Sequence, residues 1–80
     1  MTRLEFKTIV GKIIETDPAR LAADTELRKL GGFDSLNILT LMIELDERFE
    51  IRLEPEEVAA LKVYGDLERL MAAHGAPLTD

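Results

Sequence analysis

The sequence predicts an all-α fold, a small four-helix bundle with three main helices and one short third helix. Apolar residues recur at three- and four-residue steps in three separate segments, which is the spacing of a buried helix face. A proline followed by acidic residues marks the start of a short additional helix. Eighty residues suffice for one domain, which we expect to span residues 1–75, followed by a flexible tail at 76–80.

Composition excludes several classes of protein. With no cysteine and one histidine, the chain is expected to form no disulfide, thiolate site or multi-histidine metal site. No apolar run approaches the ~20 residues of a membrane span. The net charge is −6, and residues 34–80 carry eleven acidic but only four basic side chains. This acidity disfavours nucleic acid and either favours a basic protein partner or serves solubility alone. We expect a cytoplasmic monomer.

The first helix is predicted from Thr2 to Glu15. Thr2 and Glu5 have the spacing of a capping box, in which each residue's side chain bonds the other's backbone N–H. Asp17-Pro18 ends the helix, because proline biases the preceding residue away from helical geometry. One buried stripe is expected along it, formed by Phe6, Ile9, Val10, Ile13 and Ile14.

Residues 16–33 are predicted to form a long connection. Leu21, Leu27 and Leu30 are apolar anchors in an otherwise polar stretch, and residues 24–27 are able to start one helical turn. A loop of this length in a small domain is usually functional or fixed by its own apolar side chains. Phe33, at its end, is expected either to cover the core as a lid or to contact a partner.

The second helix is predicted from Ser35 to about Glu50. Its polar face is narrow, and apolar residues cover most of the remaining circumference. A helix with so wide an apolar arc is either surrounded by other elements or offers part of its surface to a partner. Leu36 and Ile43 lie at the edge of the polar face, where they are either exposed contacts or part of the core.

After an extended stretch at 51–53, residues 54–57 are predicted to start the short third helix. Its few apolar residues suggest a movable wall. Residues 62–66 are read as a turn into the last helix, in which Leu67, Leu70 and Met71 form the buried stripe. Gly75 suits the end of that helix, and Pro77 prevents its continuation.

Ser35 is the candidate functional residue. Asp34 or Ser35 suits the N-cap of the second helix, and Gly31 and Gly32 allow a tight loop just before it. The serine is therefore expected to be exposed at a helix N-terminus. Free N–H groups and the positive end of the helix dipole favour a phosphate at such a position.

The Asp34-Ser35-Leu36 motif, preceded by Leu30-Gly31, resembles the prosthetic-group site of the acyl carrier protein family. The likeness extends through residues 49–51 and 63–67 and covers about residues 4–74. It implies a 4′-phosphopantetheine arm on Ser35, attached through a phosphodiester, with Asp34 and Leu36 recognised by the transferase. It also implies a phosphopantetheinyl transferase using coenzyme A and magnesium, and synthetases, synthases or acyltransferases that load acyl or aminoacyl groups.

Ser35 has no evident local base, and the single histidine, His74, lies near the other end of the chain. A carrier modified and used by other enzymes is therefore expected, instead of an enzyme. An apolar cleft for an acyl chain is predicted at Leu39, Met42 and Leu61, with Ile43 beside it. A partner is expected to contact Phe33, Leu36, Asn37, Thr40, Ile43, Glu44 and Glu47.

Three features depart from the family's usual patterns. Asn37 and Thr40 occupy places that are usually acidic in fatty-acid carriers, and Phe33 precedes Asp34, where those carriers commonly have small or aliphatic residues. Leu30-Gly31-Gly32 resembles peptidyl carriers, but those usually place one residue between the glycine pair and the serine, whereas this chain has two. These features favour a specialised free-standing carrier of hydroxyacyl, aminoacyl or polyketide groups over one of general fatty-acid synthesis. The alternatives are an unmodified carrier-like interaction module and a small hydrolase using Ser35.

Overall fold

The computed structural model describes residues 1–80 and contains four α-helices and two single 3₁₀ turns. The all-α prediction is confirmed, since the β-type pairings are two isolated bridges, one between Thr2 and Thr79 and one between Glu26 and Val63. No helix has the length and hydrophobicity needed to cross a membrane. In chain order the helices are α1 (Arg3–Ile13), α2 (Ser35–Phe49), α3 (Pro55–Ala59) and α4 (Tyr64–Ala73).

Helix α1 begins as predicted. The Thr2 hydroxyl accepts a hydrogen bond from the Glu5 N–H at 3.1 Å, and a Glu5 carboxylate oxygen accepts one from the Thr2 N–H at 2.9 Å. The predicted end at Glu15 is wrong by two residues. Glu15 has a left-handed backbone with φ 56°, and the Thr16 N–H turns back to the Gly11 carbonyl at 2.8 Å. A side chain at Gly11 would meet the Thr16 carbonyl, so the glycine leaves room for the chain to turn back here.

The core receives side chains from every segment of the chain. From α1 it takes Phe6 and Val10, and from the residue that follows this helix Ile14, whereas Ile9 and Ile13 are only half-buried. The leucines of the long connection are buried as expected, and they fix residues 16–33 against the helices. The complete set of buried apolar residues is Phe6, Val10, Ile14, Leu21, Leu27, Leu30, Leu41, Leu45, Ile51, Leu53, Val58, Leu61, Tyr64, Leu67 and Met71.

Helix α2 offers part of its apolar surface to solvent. Only Leu41 and Leu45 are buried along its length, whereas Leu36 is 72% exposed and Ile43 47% exposed. Of the two alternatives left open for these residues, the structure places both outside the core. Leu39 is also 54% exposed, so three large apolar side chains of one helix lack cover within the chain.

Helix α4 starts earlier than predicted, within the segment read as a turn. Asp66 makes this possible, because its carboxylate accepts the N–H groups of Lys62 at 3.0 Å and Val63 at 3.1 Å. Tyr64 is then the first helical residue and one of the largest side chains in the core. The helix ends at Ala73, and Gly75 follows with φ 80°, as a glycine after a helix end commonly does.

The last five residues lie beside the first three. The Arg3 N–H donates to the Thr79 carbonyl at 2.6 Å, and the Thr79 N–H donates to the Met1 carbonyl at 3.2 Å. Ala76 and Leu78 are partly buried against the core. The flexible tail expected at residues 76–80 stays a prediction, and these contacts give a specific reason to test it.

Candidate functional site

Ser35 is the first residue of α2 and is exposed. Asp34 is its N-cap, which resolves the choice between Asp34 and Ser35. The Asp34 carboxylate accepts the Asn37 N–H at 2.9 Å, satisfying one of the free donors of the first turn. The N–H groups of Ser35 and Leu36 have no acceptor within the chain. Both N–H groups lie at the positive end of the helix dipole, where an anion is stabilised.

The loop before Ser35 is held by the side chain of Asn37. Its amide nitrogen donates to the Gly32 carbonyl at 2.8 Å, and the residue is half-buried. The role of Asn37 in partner binding stays a prediction, but its amide is already engaged within the chain. A carboxylate at this position would have no proton to donate to Gly32.

The two glycines of this loop differ in how closely the rest of the chain packs against them. A Cβ atom built on Gly32 would lie 1.6 Å from the Ile14 carbonyl oxygen, whereas one built on Gly31 would meet nothing within 4 Å. Gly32 therefore packs against the end of α1, and this contact leaves no room for a side chain. The close approach that a glycine permits is thus seen at Gly32, where the approaching backbone belongs to the chain itself.

A cavity of about 660 Å³ adjoins Ser35 between α2, α3 and the long connection. Its volume lies within the range of about 300–1,000 Å³ typical of small-molecule sites. All three residues predicted to border an acyl cleft are in its lining, and Ile43 is not. The apolar lining consists of Phe33, Ile38, Leu39, Met42, Val58, Ala59 and Leu61.

Some lining residues were recognisable from the sequence and were missed. Ile38 lies one helical turn before Met42, and Val58 lies three residues before Leu61, so each shares a face with a predicted residue. Arg28 also lines the cavity, and no local pattern pointed to it. It lies in the 3₁₀ turn Leu27–Lys29, and only the folding of the long connection brings it into the lining of the cavity that also includes Ser35.

Phe33 is half-buried, packs against the core and lines the cavity. This placement favours the lid, of the two roles expected for it. Its backbone N–H donates to the Leu30 carbonyl at 3.0 Å, so the ring leaves the loop from a fixed point. Since Phe33 immediately follows Gly32, the Asn37 bond and the Ile14 contact both restrict where the ring sits.

The other residues expected to meet a partner lie along α2. Thr40 is exposed, and its hydroxyl donates to the Leu36 carbonyl at 3.0 Å. Glu44 forms an ion pair with Arg48 at 3.2 Å, one turn further along, and Glu47 is exposed without a partner. Together with the exposed Leu36 and Ile43, they give α2 a mixed apolar and acidic surface.

Ser35 has no activating group. Its hydroxyl makes no hydrogen bond to any side chain, and His74 is bonded instead to both Glu57 oxygens at 3.0 Å. That bond and the Glu54 N–H lower the pKa of Glu57, with the Glu54 bond the larger cause. No group of three or more histidine or acidic side chains is placed to hold a metal ion. An exposed serine without a base suits modification by another enzyme and not catalysis of its own.

The site and the fold thus define a small helical protein with one exposed serine at the start of its second helix, beside an apolar cavity. Comparison with known proteins gives the family. The family described as "Phosphopantetheine attachment site" matches residues 5–71. The acyl carrier protein of Phaeodactylum tricornutum is 27% identical over 66 residues, which cover 82% of this chain and 84% of that protein. The acyl carrier proteins of Wolinella succinogenes and Helicobacter pylori are 26% and 25% identical, over 81% and 79% of this chain and 86% and 81% of theirs.

The chain therefore belongs to the phosphopantetheine-binding carrier family, and it is a carrier and not an enzyme. The prosthetic group of this family is 4′-phosphopantetheine. The residues at the start of α2 fit such a group. The Ser35 hydroxyl is accessible, two N–H donors beside it are free, and an apolar cavity adjoins it.

Proposed function

We propose that Ser35 bears the 4′-phosphopantetheine arm and that the chain presents acyl groups on it to partner enzymes. The observation that carries this proposal is the exposed Ser35 at the first position of α2, beside an apolar cavity. When attached, the arm supplies a thiol that holds the acyl group as a thioester. Within this proposal the chain works as a monomer in the cytoplasm.

The chain contributes position instead of chemical activation. Asp34 caps α2 and orients its first turn, and the free N–H groups of Ser35 and Leu36 face the place where the phosphodiester would sit. Because no side chain accepts the Ser35 proton, the transferase must remove it. The Ser35 oxygen then bonds the phosphorus of the arm as the phosphoanhydride of coenzyme A breaks, and adenosine 3′,5′-bisphosphate leaves. Asp34 and Leu36, both exposed next to the serine, are the residues we propose that the transferase reads.

We propose that the cavity shelters the acyl chain. Leu39 and Met42 of α2 face Leu61 across it, and α3 closes one side with Val58 as its only buried residue. A five-residue helix anchored by one core side chain and the Glu57–His74 contact is a wall able to move. Burial of a chain in this cavity stabilises the complex by removing methylene groups from water, at about 0.8 kcal/mol for each.

We propose a specialised cargo, in the hydroxyacyl, aminoacyl or polyketide class, over general fatty-acid synthesis. Thr40 is exposed and neutral on the surface that a loading enzyme would meet. Glu44 and Glu47 leave the acidic charge lower on α2, for a basic surface on the partner. A partner that recognises this chain would thus meet apolar Leu36 and Ile43 first and acidic groups further along.

Transfer from coenzyme A tests the attachment site. The purified chain is incubated with coenzyme A, magnesium and a transferase of broad specificity, and its intact mass is measured. We expect a gain equal to one phosphopantetheine on the wild type and on Thr8→Ala, which removes an exposed hydroxyl from α1. No gain is expected on Ser35→Ala. An unmodified wild type, or an equal gain on Ser35→Ala, would refute the proposal.

The exposed apolar side chains of α2 also favour a second candidate, an interaction module that is never modified. Leu36, Leu39 and Ile43 would then dock a partner directly. The two candidates differ in what Ser35→Ala removes, because a module would keep its whole activity, which is the binding of its partner. A carrier would lose the transfer of its acyl group while keeping the docking surface.

A further inference from the structure

Arg28 is held in place at the edge of the cavity that adjoins Ser35. Its neighbour Leu27 is completely buried, and Leu30 is almost so. The Leu27 N–H donates to the Lys62 carbonyl at 3.0 Å, and the Leu30 N–H donates to the Leu27 carbonyl at 3.0 Å. The backbone on both sides of Arg28 is therefore anchored, while its side chain is exposed and lines the cavity.

The guanidinium of Arg28 has no partner in the chain. It makes no ion pair or hydrogen bond with any residue, in contrast to the next residue, Lys29, which pairs with Glu26 at 2.6 Å. The only other charged residue in the cavity lining is Asp34, and its carboxylate is used as the cap of α2. Arg28 is thus the one free cation on a cavity whose lining is otherwise mostly apolar.

An arm on Ser35 would introduce an anion directly beside the Asp34 carboxylate. The free N–H groups of Ser35 and Leu36 offset part of this charge, but they carry only partial charges. A guanidinium presents several N–H donors in a planar fork that matches two phosphate oxygens at once. The chain supplies one such group, and it lines the same cavity as Ser35.

We propose that Arg28 binds the phosphodiester of the arm on Ser35 and so holds the start of the arm at the edge of the cavity. This inference rests on the proposed attachment at Ser35. The contact neutralises the charge that the arm adds next to Asp34. It also fixes the direction in which the rest of the arm leaves the protein, toward the cavity lined by Phe33 and Leu39.

The test compares the unmodified and modified chains of the wild type, Arg28→Gln and the matched control Lys29→Gln. Intact mass first verifies that each sample is completely modified. We expect modification to raise the melting temperature of the wild type and of Lys29→Gln by about 2–4 °C at low salt, and that of Arg28→Gln by much less. At about 1 M NaCl the Debye screening length falls to ~3 Å, and the difference in melting temperature between the variants should vanish. The ¹⁵N-labelled Nε signal of Arg28 should also move on modification.

Three results would overturn the inference. The first is an equal gain in melting temperature for the wild type and Arg28→Gln, with an unmoved Nε signal. The second is a difference that survives high salt, which would indicate a packing effect of the Arg28 stem. The third is a difference that appears only after a carboxylate-bearing acyl group is loaded, which would assign Arg28 to the cargo. Failure of Ser35 to be modified would be seen separately in the mass and would refute the proposed function instead.

Discussion

Gly32 shows how a single missing Cβ atom positions the candidate site. The end of α1 and the loop before Ser35 touch at this residue, through the Ile14 carbonyl oxygen. The sequence predicted a tight glycine loop here, because paired glycines before a helix cap are typical of one. It did not predict which glycine is required, since that depends on where the end of α1 lies in space.

Gly32→Ala should lower the free energy of unfolding by about 3 kcal/mol, because its Cβ would overlap backbone and force the loop away from α1. Gly31→Ala is the matched control, and open space at that position predicts a change below about 1 kcal/mol. Urea denaturation of both variants measures these values. Equal destabilisation of the two variants would contradict the packing described for Gly32.

Asn37→Asp should destabilise the chain by about 1 kcal/mol. The change leaves the part-buried Gly32 carbonyl without its donor, which costs about 1–3 kcal/mol. The new negative charge in the first turn of α2 interacts favourably with the helix dipole and stabilises the folded state by about 0.3–1 kcal/mol. The loss of the hydrogen bond therefore exceeds this gain. Denaturation at neutral pH measures the net effect.

Thr40→Glu is the control for Asn37→Asp, since it adds the same charge to α2 at an exposed position and should change stability by less than about 0.5 kcal/mol. A variant Asn37→Asp as stable as the wild type would show that its amide does not hold the loop. Neutrality at residue 37 would then be a matter of partner recognition alone.

Among the helices, α4 depends at its start on the side chain of Asp66. The N–H of Val63, the Arg69 side chain and the N–H of Lys62 lower the pKa of Asp66 from 3.8 to about 2. A carboxylate with a depressed pKa stabilises the folded state above its unfolded pKa. That contribution is lost as the pH falls from about 4 toward 2.

Asp66→Asn should therefore be less stable than the wild type at pH 7, and the difference should shrink as the pH falls from about 4 to 2. Thermal unfolding across this range measures it. Asp24→Asn is the control, because Asp24 is exposed and makes no hydrogen bond or ion pair, and it should follow the wild type at every pH. A constant difference for Asp66→Asn would show that its charge does not cap α4.

Local signals in the sequence predicted the elements well where each signal lies within one turn. The Thr2–Glu5 box placed the start of α1, and Asp34 followed by an apolar period placed the start of α2. The end of α1 was misplaced because the backbone reverses at Glu15. The start of α4 was misplaced although its signal is local, because the Asp66 side chain was not recognised as the acceptor of the Lys62 and Val63 N–H groups. Arg28 was missed for a different reason, since its place at the cavity depends on the whole connection.

At the scale of the molecule, the two ends of the chain are tied together. Arg3 contacts Glu68 of α4 at 2.9 Å and also pairs with Asp80, while its backbone bonds Thr79. The sequence favoured a fraying tail because Gly75 and Pro77 end α4 and no apolar period follows. Pairing between residues this distant in the chain has no local signature.

Deletion of residues 76–80 should lower the free energy of unfolding by about 1–2 kcal/mol, through the lost backbone bonds and the exposure of core beneath Leu78. Asp80→Asn removes only an exposed ion pair and should cost less than about 0.5 kcal/mol. If the deletion leaves stability unchanged and the amides of 76–80 exchange at the rate of an unfolded chain, the tail frays as the sequence predicted.

All the proposals made for this chain depend on the phosphopantetheine arm that we propose another enzyme places on Ser35. The most direct measurement is peptide mass spectrometry of the protein purified from the cells that make it, with fragmentation that locates the modified residue. We predict that a substantial fraction of the peptide containing Asp34-Ser35-Leu36 carries the arm, and that the arm is on Ser35. A peptide that is always unmodified, or an arm located on another residue, would contradict this account.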